Sequence, residues 1–136
     1  MSESLNHLEL VDRMIGYVER EYRPAYELVI FHDKPSVIGG EKPPRIGGYQ
    51  PDLYATDTPV SIIILGEAKT EDDLETEHSR NQLIAYLRFL AWQPRGVLVL
   101  AVPWQASATA TNVLWRLQRD HNALNVQTVV LTDAEG

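Results

Sequence analysis

The sequence predicts an α/β fold: a single mixed β-sheet flanked by helices, with the elements in the order α-β-β-β-α-β-α-β. Two observations lead to this prediction. Segments with apolar residues at helical spacing alternate with short apolar segments of strand length. A Pro- and Gly-rich stretch also separates the first strand from a hairpin at the centre of the chain. The chain has 136 residues, 44% of them hydrophobic, so we expect one domain over residues 1–136.

The first helix is predicted from Leu5 to Glu21, because apolar residues recur there every three or four positions and Pro24 prevents continuation. A strand from Glu27 to His32 follows. Residues 33–50 form a loop rich in Pro and Gly, and a loop of that length in a small domain is usually functional or mobile.

A hairpin follows, with a turn at residues 57–59, a strand that opens at Asp52 and a strand that ends in Glu67-Ala68-Lys69. Glu67 and Lys69 share one face of their strand because they are two residues apart. If Ala55 pairs with Ile62, Asp52 lies opposite Leu65, on that same face and diagonal to Glu67. A slip of one residue would move Asp52 to the other face, so the site depends on the turn.

The second half of the chain alternates helices and strands. The second helix is predicted to be capped within Thr70–Asp73 and to run to about Gln93. Its core-facing residues are Leu83, Leu87, Leu90 and Ala91, with Gln82 and Tyr86 on an adjoining stripe. A buried strand over Gly96–Val102, a third helix over Ala106–Asn122 and a final strand over Gln127–Leu131 complete the prediction.

Pro51-Asp52 together with Glu67-Ala68-Lys69 at the end of an apolar strand resembles the PD-(D/E)xK nuclease superfamily. The predicted order of elements follows the restriction-endonuclease-like core of that family along nearly the whole chain. The resemblance implies a metal-dependent endonuclease that hydrolyses phosphodiester bonds of DNA with metal-activated water. It implies Mg²⁺, replaceable by Mn²⁺, held by Asp52, Glu67 and the carbonyl of Ala68. Lys69 would position the water or stabilise developing charge.

Three further site residues are expected from this resemblance. The first helix often supplies a carboxylate in this family, and the expected closeness of its start to Asp52 favours Glu9, with Asp12 as second choice. A solvated helix acid is the alternative reading. Gln82 matches in placement the Gln of the second helix that often accompanies the family's core motif, and as a catalytic residue it would hydrogen-bond a catalytic side chain or contact a phosphate. Tyr86 would pack over the nucleic acid. Both residues could instead simply border the helix core.

The charge of the chain argues against a simple nucleic-acid binder, since its net charge is −7 and its pI is about 5.0. The long loop is locally basic, and its candidate nucleic-acid contacts are Lys34, Lys42 and Arg45. Three hypotheses therefore stay open. They are a Mg²⁺-dependent nuclease on DNA, with RNA not distinguished; a catalytically silent domain of the same fold in protein assembly; and an unrelated α/β binding protein.

The remaining composition indicates where the protein works. It has no run of 18 apolar residues and no signal sequence, so we expect a cytoplasmic protein without a membrane partner. It has no cysteine, which excludes disulfides and thiolate metal sites. A solitary core of this size is expected to form a homodimer or to work with a partner subunit.

Overall fold

The computed structural model describes residues 2–33 and 41–133. In chain order its elements are α1 (Ser2–Tyr22), β1 (Val29–His32), β2 (Leu53–Thr56), β3 (Ile63–Ala68), α2 (Glu77–Ala91), β4 (Gly96–Val102), a 3₁₀ turn (Trp104–Ala106), α3 (Ser107–Asp120) and β5 (Gln127–Thr132). The predicted order of helices and strands is confirmed. None of these helices is both long and apolar enough to cross a bilayer.

The strands form one mixed five-stranded sheet in the order β1-β2-β3-β4-β5. The pairs β1–β2 and β2–β3 are antiparallel, whereas β3–β4 and β4–β5 are parallel. Every residue of β3 and of β4 is buried, as expected for central strands covered on both faces.

Two apolar layers hold the helices on the sheet. Leu65 of β3 and Leu98 of β4 pack with residues of α2 and α3 on one face. Ile64 and Val99 point the other way and pack with α1. Successive strand residues alternate between the two faces of the sheet, so residues at odd and even positions of one strand contact different helices.

The ends of all three helices differ from the prediction, most of all at the start of α2. The cap predicted within Thr70–Asp73 is wrong: Thr70 accepts a bond from the Asp73 N–H in a local turn. Helix α2 begins instead after Thr76, whose side-chain oxygen accepts the N–H of Ser79 at 3.1 Å. Helix α3 begins after the 3₁₀ turn and ends at Asp120, since Asn122 adopts a left-handed φ of 55°.

The predicted hairpin register is also wrong, because Ala55 pairs with Ile64 rather than with Ile62. The connection is longer than the tight turn that was expected. The carboxylate of Asp57 closes it by accepting the N–H of Ser61 at 2.7 Å and the hydroxyl of the same residue. The shift is two residues, so the side chains of β2 keep their faces. The regular pairing ends at Leu53, because the Asp52 N–H donates to Gly66 and not to Glu67, and the carboxylates of Asp52 and Glu67 nevertheless interact.

The described part of the long loop, residues 41–50, packs against α2. Ile46 is buried and forms an isolated bridge with Tyr49. Gly47 has a φ of 60°, and a Cβ at this position would meet the Cβ of Ala85 at 2.9 Å. Glycine at position 47 therefore allows both the turn and the close approach to the helix.

Candidate active site

The structure brings Asp52, Glu67 and Lys69 together at one end of the sheet. Asp52 Oδ2 accepts the backbone N–H of Ala68 at 2.8 Å. Lys69 Nζ lies 3.8 Å from Glu67 Oε2, and all three charged side chains are buried. The side chains predicted to form the site are thus neighbours, although the register that places them differs from the expected one.

Asp52 lies where the regular pairing of β2 ends. Its N–H donates to the carbonyl of Gly66 at 3.0 Å, while its carbonyl accepts the N–H of Asp33 at 3.0 Å. Its carboxylate then takes the place of a backbone acceptor for Ala68.

Gln82 and Tyr86 join the charged residues through a buried set of hydrogen bonds. Lys69 Nζ donates to Gln82 Oε1 at 2.5 Å, and Gln82 Nε2 donates to the Tyr86 hydroxyl at 3.1 Å. That hydroxyl donates to Glu67 Oε1 at 3.2 Å. Together with the Glu67–Lys69 ion pair, these bonds close a ring of four side chains, which we call the polar ring.

The predicted contact between Tyr86 and nucleic acid is wrong. Its side chain is fully buried beneath Tyr49, whose ring centroid is 6.5 Å away, and its hydroxyl is used within the polar ring. Tyr86 belongs to the α2 stripe that packs on the sheet, because it lies three residues after Leu83 and four before Leu90. Gln82, by contrast, holds Lys69, a hydrogen bond of the kind that the sequence predicted.

Burial raises the pKa of Glu67 well above its usual range, and the neighbouring Asp52 carboxylate raises it further. Lys69 and the Tyr86 hydroxyl lower the pKa of Glu67 but do not offset these two causes. The pKa of Tyr86 is raised as well, first by burial and then by Glu67. Burial and the Asp52 carboxylate therefore disfavour the charged form of Glu67 more than Lys69 and Tyr86 favour it.

The first helix reaches the site with His7 and not with Glu9. His7 Nε2 lies 3.3 Å from Asp52 Oδ1, and that contact is the main reason why the pKa of His7 is raised. The Asp52 and Asp33 charges add to this rise, whereas burial and Lys69 oppose it.

Glu9 is exposed, and no hydrogen bond or ion pair of the described residues joins it to the site. Two residues correspond to about 200° around a helix, so Glu9 faces away when His7 faces the sheet. The second choice, Asp12, borders a separate groove beside Thr132. A signal for His7 was present in the sequence, because it lies four residues before Val11 on the apolar stripe of α1.

Of the candidate nucleic-acid contacts in the loop, Lys42 is connected to the site through Asp33. Lys42 is exposed, with its Nζ 2.6 Å from Asp33 Oδ1, and Asp33 is bonded through its backbone to Asp52. Arg45 is exposed and donates to the carbonyl of Gly48 at 2.7 Å. Lys34 lies outside the described residues. Both described cations are accessible, and each already has an acceptor.

In residues 2–33 and 41–133 no group of three or more His, Asp or Glu side chains is arranged to hold a metal ion. The metal ligands expected from the sequence form a different group, because they are two carboxylates and one backbone carbonyl. The structure brings the carboxylates of Asp52 and Glu67 together, and Ala68 contacts Asp52 through its backbone N–H. Hard oxygen donors of this kind suit Mg²⁺ or Mn²⁺.

Comparison with models of protein families, with curated proteins and with solved structures found no match to this chain. The class that the fold defines is an α/β protein with one open, mixed five-stranded sheet and three helices.

Proposed function

We propose that this chain is a Mg²⁺-dependent endonuclease of the PD-(D/E)xK type that hydrolyses phosphodiester bonds of DNA, with Mn²⁺ able to replace Mg²⁺. The observation that carries the proposal is the polar ring around Glu67, together with the adjacent Asp52 carboxylate. A buried carboxyl group with a raised pKa beside a fixed cation, as at Glu67, is typical of functional sites, because burying such a group has a stability cost.

Asp52, Glu67 and the carbonyl of Ala68 would hold the cation. Their donor set supports this role, since all three donors are oxygens and the Asp52 carboxylate acts on Glu67 as a neighbouring negative charge. A bound divalent cation supplies Lewis-acid stabilisation of the phosphate and lowers the pKa of water. The Asp52 carboxylate is held in place by the N–H of Ala68 and by His7, so its orientation is set before any ligand enters.

Lys69 would provide the positive charge beside the reacting phosphate. Gln82 and Glu67 restrain its Nζ, so the ammonium group stays next to the carboxylates instead of extending into solvent. A preorganised cation of this kind stabilises charge that develops in the transition state. Gln82 then acts as a positioning residue for Lys69, and Tyr86 does so for Glu67.

Lys42 and Arg45 would contact the nucleic-acid backbone, because both are exposed on the loop that borders the site. The acidic net charge makes this binding weak in the absence of metal. The same charge favours the second candidate, a catalytically silent domain in protein assembly, and the experiments below separate the two.

Hydrolysis is tested with plasmid DNA, single-stranded DNA and RNA, each with Mg²⁺, with Mn²⁺ and with chelator. We expect Asp52→Asn, Glu67→Gln and Lys69→Met to lose about 100-fold or more in rate, as electrostatic groups in active sites do. Glu77→Gln is the matched control because it removes the same charge from an exposed position in the first turn of α2. Circular dichroism checks the fold of each variant. If the folded variants cut as fast as the parent, or if no substrate is cut, the proposal fails.

A second measurement follows binding without metal. Asp52→Asn should bind DNA at least as tightly as the parent, because it removes one of two carboxylates that repel an incoming phosphate. The gain should shrink as salt rises, since the effect is electrostatic. If neither protein binds DNA or RNA at any salt concentration while the parent binds a partner protein, the assembly function replaces the nuclease.

A further inference from the structure

Strand β5 forms one edge of the sheet, and in the described part of the chain it is paired only with β4. Its sequence, Gln127–Thr132, contains no charged residue and no proline, and four of its six residues are Thr or Val. Edge strands of monomeric proteins usually carry charges, prolines or bulges that prevent pairing with other chains. This edge has none of these protections.

The backbone groups that β5 directs outward follow from the ladder. Lys69 N–H donates to Ala101 and Ile63 N–H donates to Arg95, so the odd-numbered residues of β4 bond to β3. The even-numbered residues of β4 then bond to β5, where the partners are the odd-numbered residues, given that Leu98 lies opposite Thr128. The N–H and C=O groups of the remaining three residues point to the open edge: Thr128, Val130 and Thr132.

This edge is complementary to itself. In an antiparallel pair of two copies centred on Val130, Val130 lies opposite Val130 of the second copy and Thr128 lies opposite Thr132. Each opposed pair would exchange two backbone hydrogen bonds. The parity also agrees, because Thr128 and Val130 point toward α3 in both copies whereas Val129 packs on the α1 side. A register shifted by one residue would break that agreement.

A groove lies above β5, between this strand and α3. It has a volume of about 370 Å³, and its helical wall carries Ser107, Thr111 and Trp115 at every fourth position of α3. Trp115 is 56% exposed near the Thr128 end, where Gln118 bonds to Thr128. Ser107 lies at the opposite end. The two-fold axis through Val130 therefore brings the large Trp115 of each copy against the small Ser107 of the other.

We propose that two copies of this chain dimerise through β5 and this groove and form a continuous ten-stranded sheet. The charges of the chain do not oppose the contact at the strand, because its side chains are neutral although each copy carries −7. The other edge suits this role less well. Strand β1 has four residues, and the Asp33–Asp52 bond leaves only Ile30 and His32 with outward-facing backbone groups.

Sedimentation equilibrium from about 1 µM to about 1 mM, a range that covers weak and moderate contacts, measures the dissociation constant without metal or nucleic acid. We expect Val130→Pro, which removes an outward N–H while leaving the bonds to β4, to raise this constant about tenfold or more. Trp115→Ala should raise it about a hundredfold or more, because each dimer contains the contact twice. Trp92→Ala is the control, since Trp92 is 88% exposed and lies at the end of α2, outside this surface.

Amide hydrogen exchange gives a readout that does not depend on variants. At high protein concentration the N–H groups of Thr128, Val130 and Thr132 should exchange slowly, and on dilution they should become fast while Val129 stays protected. A chain that is monomeric over the whole range overturns the proposal. So does a dimer whose constant is unchanged in folded Trp115→Ala. The dimer does not depend on the proposed hydrolysis, so either proposal can fail without the other.

Discussion

Tyr86→Phe tests whether the polar ring stabilises the fold as its geometry indicates. The change removes a hydroxyl from a fully buried side chain and leaves the ring in place. One lost hydrogen bond goes to the carboxyl group of Glu67 and is worth about 1.5–3 kcal/mol. The other comes from the amide of Gln82 and is worth about 0.5–1.5 kcal/mol. We expect the free energy of unfolding to fall by about 2–4 kcal/mol.

For a chain of 136 residues, 1 kcal/mol corresponds to about 3.5 °C in Tm, so Tm should fall by about 7–14 °C. The matched control is Tyr54→Phe. Tyr54 is partly buried, and its hydroxyl has no hydrogen-bond partner among the described residues. Tyr54→Phe should lower the free energy of unfolding by less than about 0.5 kcal/mol. Urea unfolding of both variants is the assay.

The effect of pH sharpens this test. The folded state raises the pKa of Glu67 above 4.5. Between pH 4.5 and this raised pKa the folded protein binds more protons than the unfolded one, so its stability falls as the pH rises through that range. The Tyr86 hydroxyl stabilises the charged form of Glu67 and moderates this loss. Tyr86→Phe should therefore lower the free energy of unfolding more at about pH 8 than at about pH 5. Equal costs for Tyr86→Phe and Tyr54→Phe at both pH values would refute the argument.

Three further predictions concern the same region. Glu67→Gln should raise Tm at about pH 8, because it removes a buried carboxylate. This increase in Tm should shrink as the pH falls toward 4.5, and an increase that does not depend on pH would contradict the raised pKa of Glu67. Mg²⁺ at about 10 mM should add about 1.4 kcal/mol of stability if its dissociation constant is about 1 mM, and Asp52→Asn should abolish the shift seen by calorimetry. Thr76→Ala should cost about 1 kcal/mol in urea unfolding because it removes the cap of α2, whereas Thr58→Ala, at an exposed turn position, should cost much less.

Much of the candidate site follows from local patterns. Glu67 and Lys69 share a face because of the two-residue repeat of a strand, and the apolar run before them indicates a central strand. Gln82 was expected beside the core stripe of α2, and it contacts Lys69. These relations depend on spacing along the chain alone, and for that reason the sequence predicts them without knowledge of the tertiary packing.

Other features depend on contacts between distant segments. The Asp57 carboxylate lengthens the hairpin connection and shifts the pairing by two residues, which a turn signal alone does not reveal. The rotation of α1 decides that His7 and not Glu9 meets Asp52, because that rotation is set by how its apolar stripe packs on the sheet. Likewise, only the packing of α2 and of the loop shows that Tyr86 is covered.

The sequence by itself therefore determined the α/β class, the order of the elements and the common face of Glu67 and Lys69. Tertiary structure alone decided the strand register, the helix residue that reaches the site and the closed ring of hydrogen bonds around Glu67. The physical reason is the range of the interactions. Periodicity and turn chemistry act over a few residues, whereas register, helix rotation and burial are set by packing between segments that are tens of residues apart.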